Sequence, residues 1–163
     1  RIPLSSMQRE KMDKIYPYYG ATSVMDYVDN YLFDGIYLLL GEDGTVVDDK
    51  GFPILQYVEG KFWVNNHAHI LTGENGFSVE MLYLFFSITN VQEKVTGAVQ
   101  QKISQGNLNS IVATIPSIDI CKKFDGIIQP IFSQIRNLRN ENKKLSNLRD
   151  TLLPKLMNGE IEV

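Results

Sequence analysis

His67 and His69 stand two residues apart in Asn65-Asn66-His67-Ala68-His69. On a strand that spacing puts both imidazoles on one face, where they could ligate a metal ion. A third ligand is missing nearby, Cys121 is the only thiol, and no H-E-x-x-H or C-x-x-C spacing occurs. Structural or hydrogen-bonding histidines are the better reading, and no metal is expected. Gly41-Glu42-Asp43-Gly44, with Asp48-Asp49 behind it, resembles a calcium loop only superficially. It lacks the alternating acidic spacing and the closing Glu that such a loop needs, so a tight turn is expected instead. Phosphate-binding, nucleophile-elbow and dinucleotide-binding fingerprints are absent, and no carboxylate pair stands out for acid–base work. No catalytic residue is expected.

What remains are polar side chains suited to reading base edges. Asn65, Asn66, Gln100 and Gln101 each carry an amide donor and acceptor, the pairing that suits adenine. Lys61, Lys94 and Lys102 can touch phosphate or guanine, and Tyr18, Tyr19 and Trp63 can pack on sugar or base. Each residue type is also common in ordinary loops as a turn former or core aromatic, Trp63 above all. The loops weighted most are Tyr19, Gly20, Ala21 and Thr22; the Lys61–His69 stretch, with Lys61, Trp63, Asn65, Asn66, His67 and His69; and Gln100, Gln101 and Lys102.

The elements that must position these residues are short. Pro and Gly punctuate Pro17–Thr22, which reads as a loop. Asp26–Phe33 reads as a turn into a strand, and Ile36–Leu40 as a short buried strand. A further strand is expected over Phe52–Val58, its start set at an edge or bulge by Pro53. Gly60 then turns the chain into Lys61–Val64. His67–Leu71 reads as a strand with alternating faces, and Thr72–Gly76 as a turn. Ser78 has the character of an N-cap for a buried helix carrying Met81, Leu82, Leu84, Phe85 and Ile88. Gly97–Gln105 reads as a loop and Leu108–Ile115 as an extended run stopped by Pro116.

Beyond Pro116 the pattern changes to heptads. Phe124, Ile131, Leu138, Leu145 and Leu152 occupy one seam position; Ile128, Ile135, Asn142, Arg149 and Leu156 occupy the other. Eight of the ten are apolar. Steps of three and four residues are those of a coiled-coil seam, on a helix of about 45 Å. One helix cannot bury its own seam, so it needs a partner. Asn142 would lower stability there yet could fix register. The expected fold class is therefore mixed α+β: a small domain of short strands and helices over 1–116, then one long coiled-coil helix over 117–163.

The bulk properties agree with one globular domain plus an appendage, at 163 residues and 44% hydrophobic. No apolar run approaches a membrane span, the N-terminus lacks the apolar segment of a signal peptide, and the lone Cys121 suits a reducing cytoplasm. The missing initial Met fits either a fragment or a processed form. Residues 1–120 carry 8 Lys/Arg against 14 Asp/Glu, and residues 121–163 carry 8 against 5. An acidic N-terminal part argues against a non-specific nucleic-acid binder, which would be basic. It leaves room for a protein that reads bases while a partner neutralises phosphates. Seven acids between Asp26 and Asp49, with no Lys or Arg among them, read as a solvated face.

Two stretches resemble one known family. The first runs from Tyr18-Tyr19-Gly20-Ala21-Thr22 through Asp26-Tyr27-Val28-Asp29-Asn30-Tyr31-Leu32-Phe33-Asp34-Gly35 and Tyr37-Leu38-Leu39 to Gly60-Lys61-Phe62-Trp63-Val64-Asn65-Asn66-His67-Ala68-His69. The second is Leu148-Arg149-Asp150-Thr151-Leu152-Leu153-Pro154-Lys155-Leu156-Met157-Asn158-Gly159-Glu160-Ile161. Together they resemble the DNA-specificity subunit of type I restriction–modification enzymes: one target-recognition domain followed by one conserved helix.

The resemblance implies a non-catalytic subunit that reads one half of a bipartite sequence in double-stranded DNA. Modification and restriction subunits would be its partners, and S-adenosylmethionine, ATP and Mg would belong to them, leaving no cofactor in this chain. A full subunit in this family has two recognition domains and two helices that pair as a ruler. One domain and one helix make half of that, as a fragment or as a half-length form that works as a homodimer through the long helix. A protein that assembles through the coiled coil without touching DNA is the alternative.

Overall fold

The computed structural model describes residues 1–161, which fall into two compact units divided between Cys121 and Lys122. Residues 162 and 163, which end the stretch 117–163 expected to be helical, lie outside the described residues.

The first unit is built on a five-stranded mixed sheet: β1 (Tyr16–Tyr19), β2 (Val24–Val28), β3 (Phe33–Gly41), β4 (Leu55–Val64) and β5 (Ala68–Leu71), in the order β2-β1-β4-β3-β5. β1 and β4 run parallel, and the other neighbours are antiparallel. The run Leu38-Leu39-Leu40 explains the two-sided packing. All three side chains are fully buried, but strand alternation sends them to opposite faces. Leu38 and Leu40 join Val46, Phe86, Val91 and Ile103, whereas Leu39 joins Val58, Phe62, Val64 and Ala68. An uninterrupted apolar run is the signature of a strand covered on both faces. Each buried Leu contributes about 1.5–3 kcal/mol.

Helix α1 (Ser6–Glu10) starts at a capping box, with the Ser5 hydroxyl accepting from the Gln8 N–H and the Gln8 side chain accepting from the Ser5 N–H. Helix α2 (Val79–Ser87) is capped by Ser78, whose hydroxyl accepts from the Met81 N–H at 3.3 Å, as the sequence predicts. It buries Met81 and Phe86, but Ile88 lies past its end and is exposed. A 3-10 turn (Gln92–Lys94) and helix α3 (Gln105–Asn109) close the far side. α3 begins inside what reads as loop and extended run; Ser104 caps it, and Leu108 is buried in the core.

Three further expectations need correction. Pro17–Tyr19 is not loop but the body of β1, and Tyr18 is 1% exposed. Pairing of β1 with β4 involves only Tyr18 and Tyr19, so Pro17 precedes that ladder. Asp26–Phe33 leads into a strand at Phe33 as expected, but its first residues, Asp26–Val28, are the end of β2 and not turn. Gly60 does not end a strand either. β4 runs through it, with Gly60 opposite Gly35 and φ values of +81° and +142°. Nothing occupies the space a Gly60 Cβ would take, so backbone conformation alone selects glycine there.

The bend is measurable from its contacts. Gln56, near the start of β4, donates its side-chain N–H to the Gly20 carbonyl at 3.0 Å. Asn65, just past the end of β4, donates its backbone N–H to the Tyr19 carbonyl at 3.1 Å. A straight strand would hold those two positions about 30 Å apart. Both ends of β4 instead reach the same short segment, so the sheet coils around it.

Helix α4 (Ile118–Met157) has 40 residues and is about 60 Å long. It continues through Pro130 and Pro154, so it exceeds the apolar run that marks it in the sequence. Along the seam, Phe124, Ile131, Leu138, Leu145 and Leu152 are 36 to 56% exposed. Ile128 is buried, Ile135 is half-buried, and Asn142 is exposed. No helix among the described residues is long and apolar enough to cross a membrane.

Candidate functional site

The coiled sheet gathers loops that are far apart in sequence. After β1 the chain makes a tight turn in which the Gly20 N–H donates to the Ser23 carbonyl at 2.9 Å. After β4, the buried Asn65 side chain shapes the next turn: its Oδ1 accepts from the His67 N–H at 2.8 Å, and its Nδ2 faces the Met25 sulfur at 3.3 Å. After β3, Gly44 donates its N–H to the Gln101 carbonyl at 3.0 Å. Gln101 belongs to a reverse turn closed by paired backbone bonds between Thr96 and Lys102, at 2.7 and 2.8 Å.

These loops surround an open depression of about 370 Å³, lined by residues 20–23, Met25, residues 43–45, His67 and Gln100. A second depression of about 450 Å³ shares Gly44, Thr45 and Gln100 with it and adds Asp48, Asp49 and Gln101. Gly20, Ala21, Thr22, His67, Gln100 and Gln101 of the sequence-predicted set are thus brought together here. Among the described residues, no Lys or Arg lines either depression.

The other predicted residues lie elsewhere. Asn65 is buried and His69 is 5% exposed, with its Nε2 2.7 Å from the Ile103 carbonyl. Tyr19 packs edge-on against Phe62, and Trp63 donates its indole N–H to the Ile2 carbonyl at 2.7 Å. Lys61 is exposed over the Tyr31 ring at 4.6 Å, and its hydrogen bond with the Tyr31 phenol raises its pKa. Asn66 is exposed in the turn before β5. Tyr18 is inside the fold, its hydroxyl accepting from the Leu4 N–H and its ring beneath Arg9.

The paired histidines do not share a strand face. β5 starts at Ala68, so His67 lies in the preceding turn, with Nδ1 2.5 Å from Asp43 Oδ1. Among the described residues no cluster of three or more His, Cys, Asp or Glu is placed to hold a metal. Asp43 is the residue that spacing alone misses. It reads as a turn former, and only the three-dimensional path brings it to His67.

Its neighbour Glu42 organises the other side of the strand. Burial opposes its charge, but a hydrogen bond from Arg1, together with the charges of Arg1, His69 and Lys102, lowers its pKa overall. The Glu42 backbone also bonds the His67 carbonyl and the Ile103 N–H, each at 2.8 Å. Glu42 thus ties the approach to β5 to the stretch following Lys102.

Residues 1–149 match the family described as the type I restriction modification DNA specificity domain. A Haemophilus influenzae protein provisionally named a type I restriction enzyme specificity subunit is 32% identical over 104 residues, covering 64% of this chain and 26% of its own. The EcoprrI specificity subunit of Escherichia coli is 24% identical over 132 residues, covering 77% and 32% respectively. The MjaIX specificity subunit of Methanocaldococcus jannaschii is 29% identical over 107 residues, covering 63% and 24%. With its mixed sheet, long helix and nearly full-length match, the chain belongs to the type I restriction–modification DNA specificity family. It spans about a quarter to a third of the length of these relatives.

Proposed function

We propose that this chain is one reading module of a DNA-specificity subunit. It recognises one half of a bipartite sequence in double-stranded DNA and assembles with modification and restriction subunits in the cytoplasm. It performs no catalysis and needs no cofactor of its own; adenine methylation and ATP-driven cleavage belong to the partners. The observation that carries this reading is the family match over residues 1–149.

The depression ringed by the β1–β2, β3–β4 and β4–β5 loops and the 96–102 turn is the surface assigned to base edges. Its polar side chains are Thr22, Ser23, Asp43, Thr45, His67 and Gln100. Lys61, Asn66 and Lys102 are exposed outside it. Its lack of cations fits a division of labour in which the modification subunits supply most backbone contacts, which carry affinity but no sequence information.

Helix α4 acts as the spacer. Its exposed seam residues recur every seven positions from Phe124 to Leu152, the pattern that pairs with another helix. A second copy of this chain, or the equivalent helix of a fuller subunit, is the partner. Two copies about a two-fold axis would read a target with palindromic outer halves.

Selection from random duplexes tests the reading. The chain co-purified with its modification subunit should enrich one defined half-site. An intact complex that enriches no sequence would support the second reading, assembly through α4 without DNA contact, for which the acidic balance of residues 1–120 speaks.

A further inference from the structure

The chemistry of the loop depression narrows what it reads. Among the described residues its only titratable side chains are Asp43 and His67, and no Lys or Arg lines it. They lie on different loops, yet His67 Nδ1 is 2.5 Å from Asp43 Oδ1. The Asp43 side chain is 21% exposed and that of His67 is 45% exposed. A carboxylate at this position takes the Nδ1–H and fixes both tautomer and ring orientation. In the neutral ring the far nitrogen, Nε2, carries the lone pair, and no protein group among the described residues bonds it. Beside it the main chain at Gly20 is bare of a side chain, and Met25 closes the wall.

An acceptor backed by a carboxylate, with no cation in the wall, is complementary to a hydrogen-bond donor. In the major groove the base-edge donors are the exocyclic amino groups, N6 of adenine and N4 of cytosine. Guanine presents O6 and N7, two acceptors, which would face the Nε2 lone pair and the Asp43 charge without a bond. We propose that His67, held by Asp43, reads an exocyclic amino group and so selects adenine or cytosine over guanine at one position of the half-site. His67 makes the contact and Asp43 positions it. This rests on the DNA-reading function proposed above and assigns a base class to that same surface.

The test uses the full chain in complex with its modification subunit, and the random-duplex selection is repeated with variants. His67→Ala should relax one adenine or cytosine position by about tenfold or more and leave the other positions unchanged. Asp43→Asn, which still accepts Nδ1–H, should keep that preference, whereas Asp43→Ala should lose most of it. His67→Gln guards against an alanine variant that fails to fold and should alter the preference at the same position. Duplexes in which the selected base is replaced by an analogue without its amino group (purine for adenine, pyrimidin-2-one for cytosine) should bind wild type about tenfold more weakly. They should bind His67→Ala no differently from the parent duplex. If wild type selects a half-site and folded His67 variants select the same one at every position, the inference is overturned while DNA reading stands. Relaxation at a base whose amino-free analogue binds wild type normally also overturns it. If wild type selects nothing, the reading and the inference fall together.

Discussion

Gly35 and Gly60 face each other across the β3–β4 pair, both at positive φ, in the middle of a ten-residue strand that coils. That bend brings the loop after β1 within reach of both ends of β4. Replacing Gly60 with Ala meets no steric obstacle, because nothing lies within 4 Å of the new Cβ. The penalty is therefore conformational, about 1–2 kcal/mol. Thermal denaturation should show that loss, and sequence selection should weaken because the bend sets the loops. A Gly60→Ala protein as stable as wild type would mean the strand does not need the bend.

Gly20 and Gly73 make opposite predictions. A Cβ on Gly20 would lie 2.5 Å from the Met25 sulfur, at the end of a flexible side chain that is 56% exposed. Met25 can swing away, so Gly20→Ala should change stability by no more than about 1 kcal/mol while reshaping the depression. A Cβ on Gly73 would lie 2.4 Å from the Phe77 carbonyl oxygen, where backbone must move. Gly73→Ala should destabilise by about 1–3 kcal/mol, towards the upper end. Denaturant titration of the two variants checks the contrast, and equal losses would contradict it.

Asp26 predicts an acid limb of stability. Hydrogen bonds from Lys14, the Tyr27 N–H and Arg9 lower its pKa from 3.8 to about 2. A carboxyl with a depressed folded-state pKa stabilises the fold above its unfolded value and loses that contribution as pH falls through the folded one. The contribution should therefore be present above about pH 4 and fade towards pH 2. Asp26→Asn should lower the melting temperature at neutral pH, and its deficit should shrink across that window. A deficit independent of pH would remove the carboxylate from the account.

The exposed seam makes a prediction about assembly. Leu138→Glu combined with Leu145→Glu places charge at two positions that are 51 and 56% exposed. The globular unit does not depend on them, so its unfolding should be unchanged. Analytical ultracentrifugation should show a dimeric wild type and a monomeric variant. A wild type that is monomeric at all accessible concentrations would leave the helix to pair with a different chain. Inserting one helical turn near Asn140 should in turn change the spacer length tolerated between half-sites, and an unchanged preference would contradict the ruler role.

The fold was legible where local chemistry and burial agree. Ile36–Leu40 reads as a short buried strand, Ser78 as a cap, and the heptads as one long helix. It was less legible where one residue type serves two ends. Pro17 and Gly20 look like loop punctuation although β1 runs into Tyr19. Gly60 looks like a turn because a glycine that bends a strand and one that ends it are the same in sequence. The α1 capping box rests on Ser5 and Gln8 alone, in a helix of five residues too short for an apolar period to mark it. The site was half legible. Its loops could be named, but that Asn65 and His69 face inward and that Asp43 meets His67 depends on how the sheet coils, and nothing in their spacing encodes that.

Mapping methylated adenines across genomic DNA with this chain bound to its modification subunit tests the central claim most directly. The account predicts one bipartite motif with a fixed spacer, its outer halves palindromic if two copies of this chain assemble. An intact, methylation-competent complex that modifies adenines without a shared motif would contradict it.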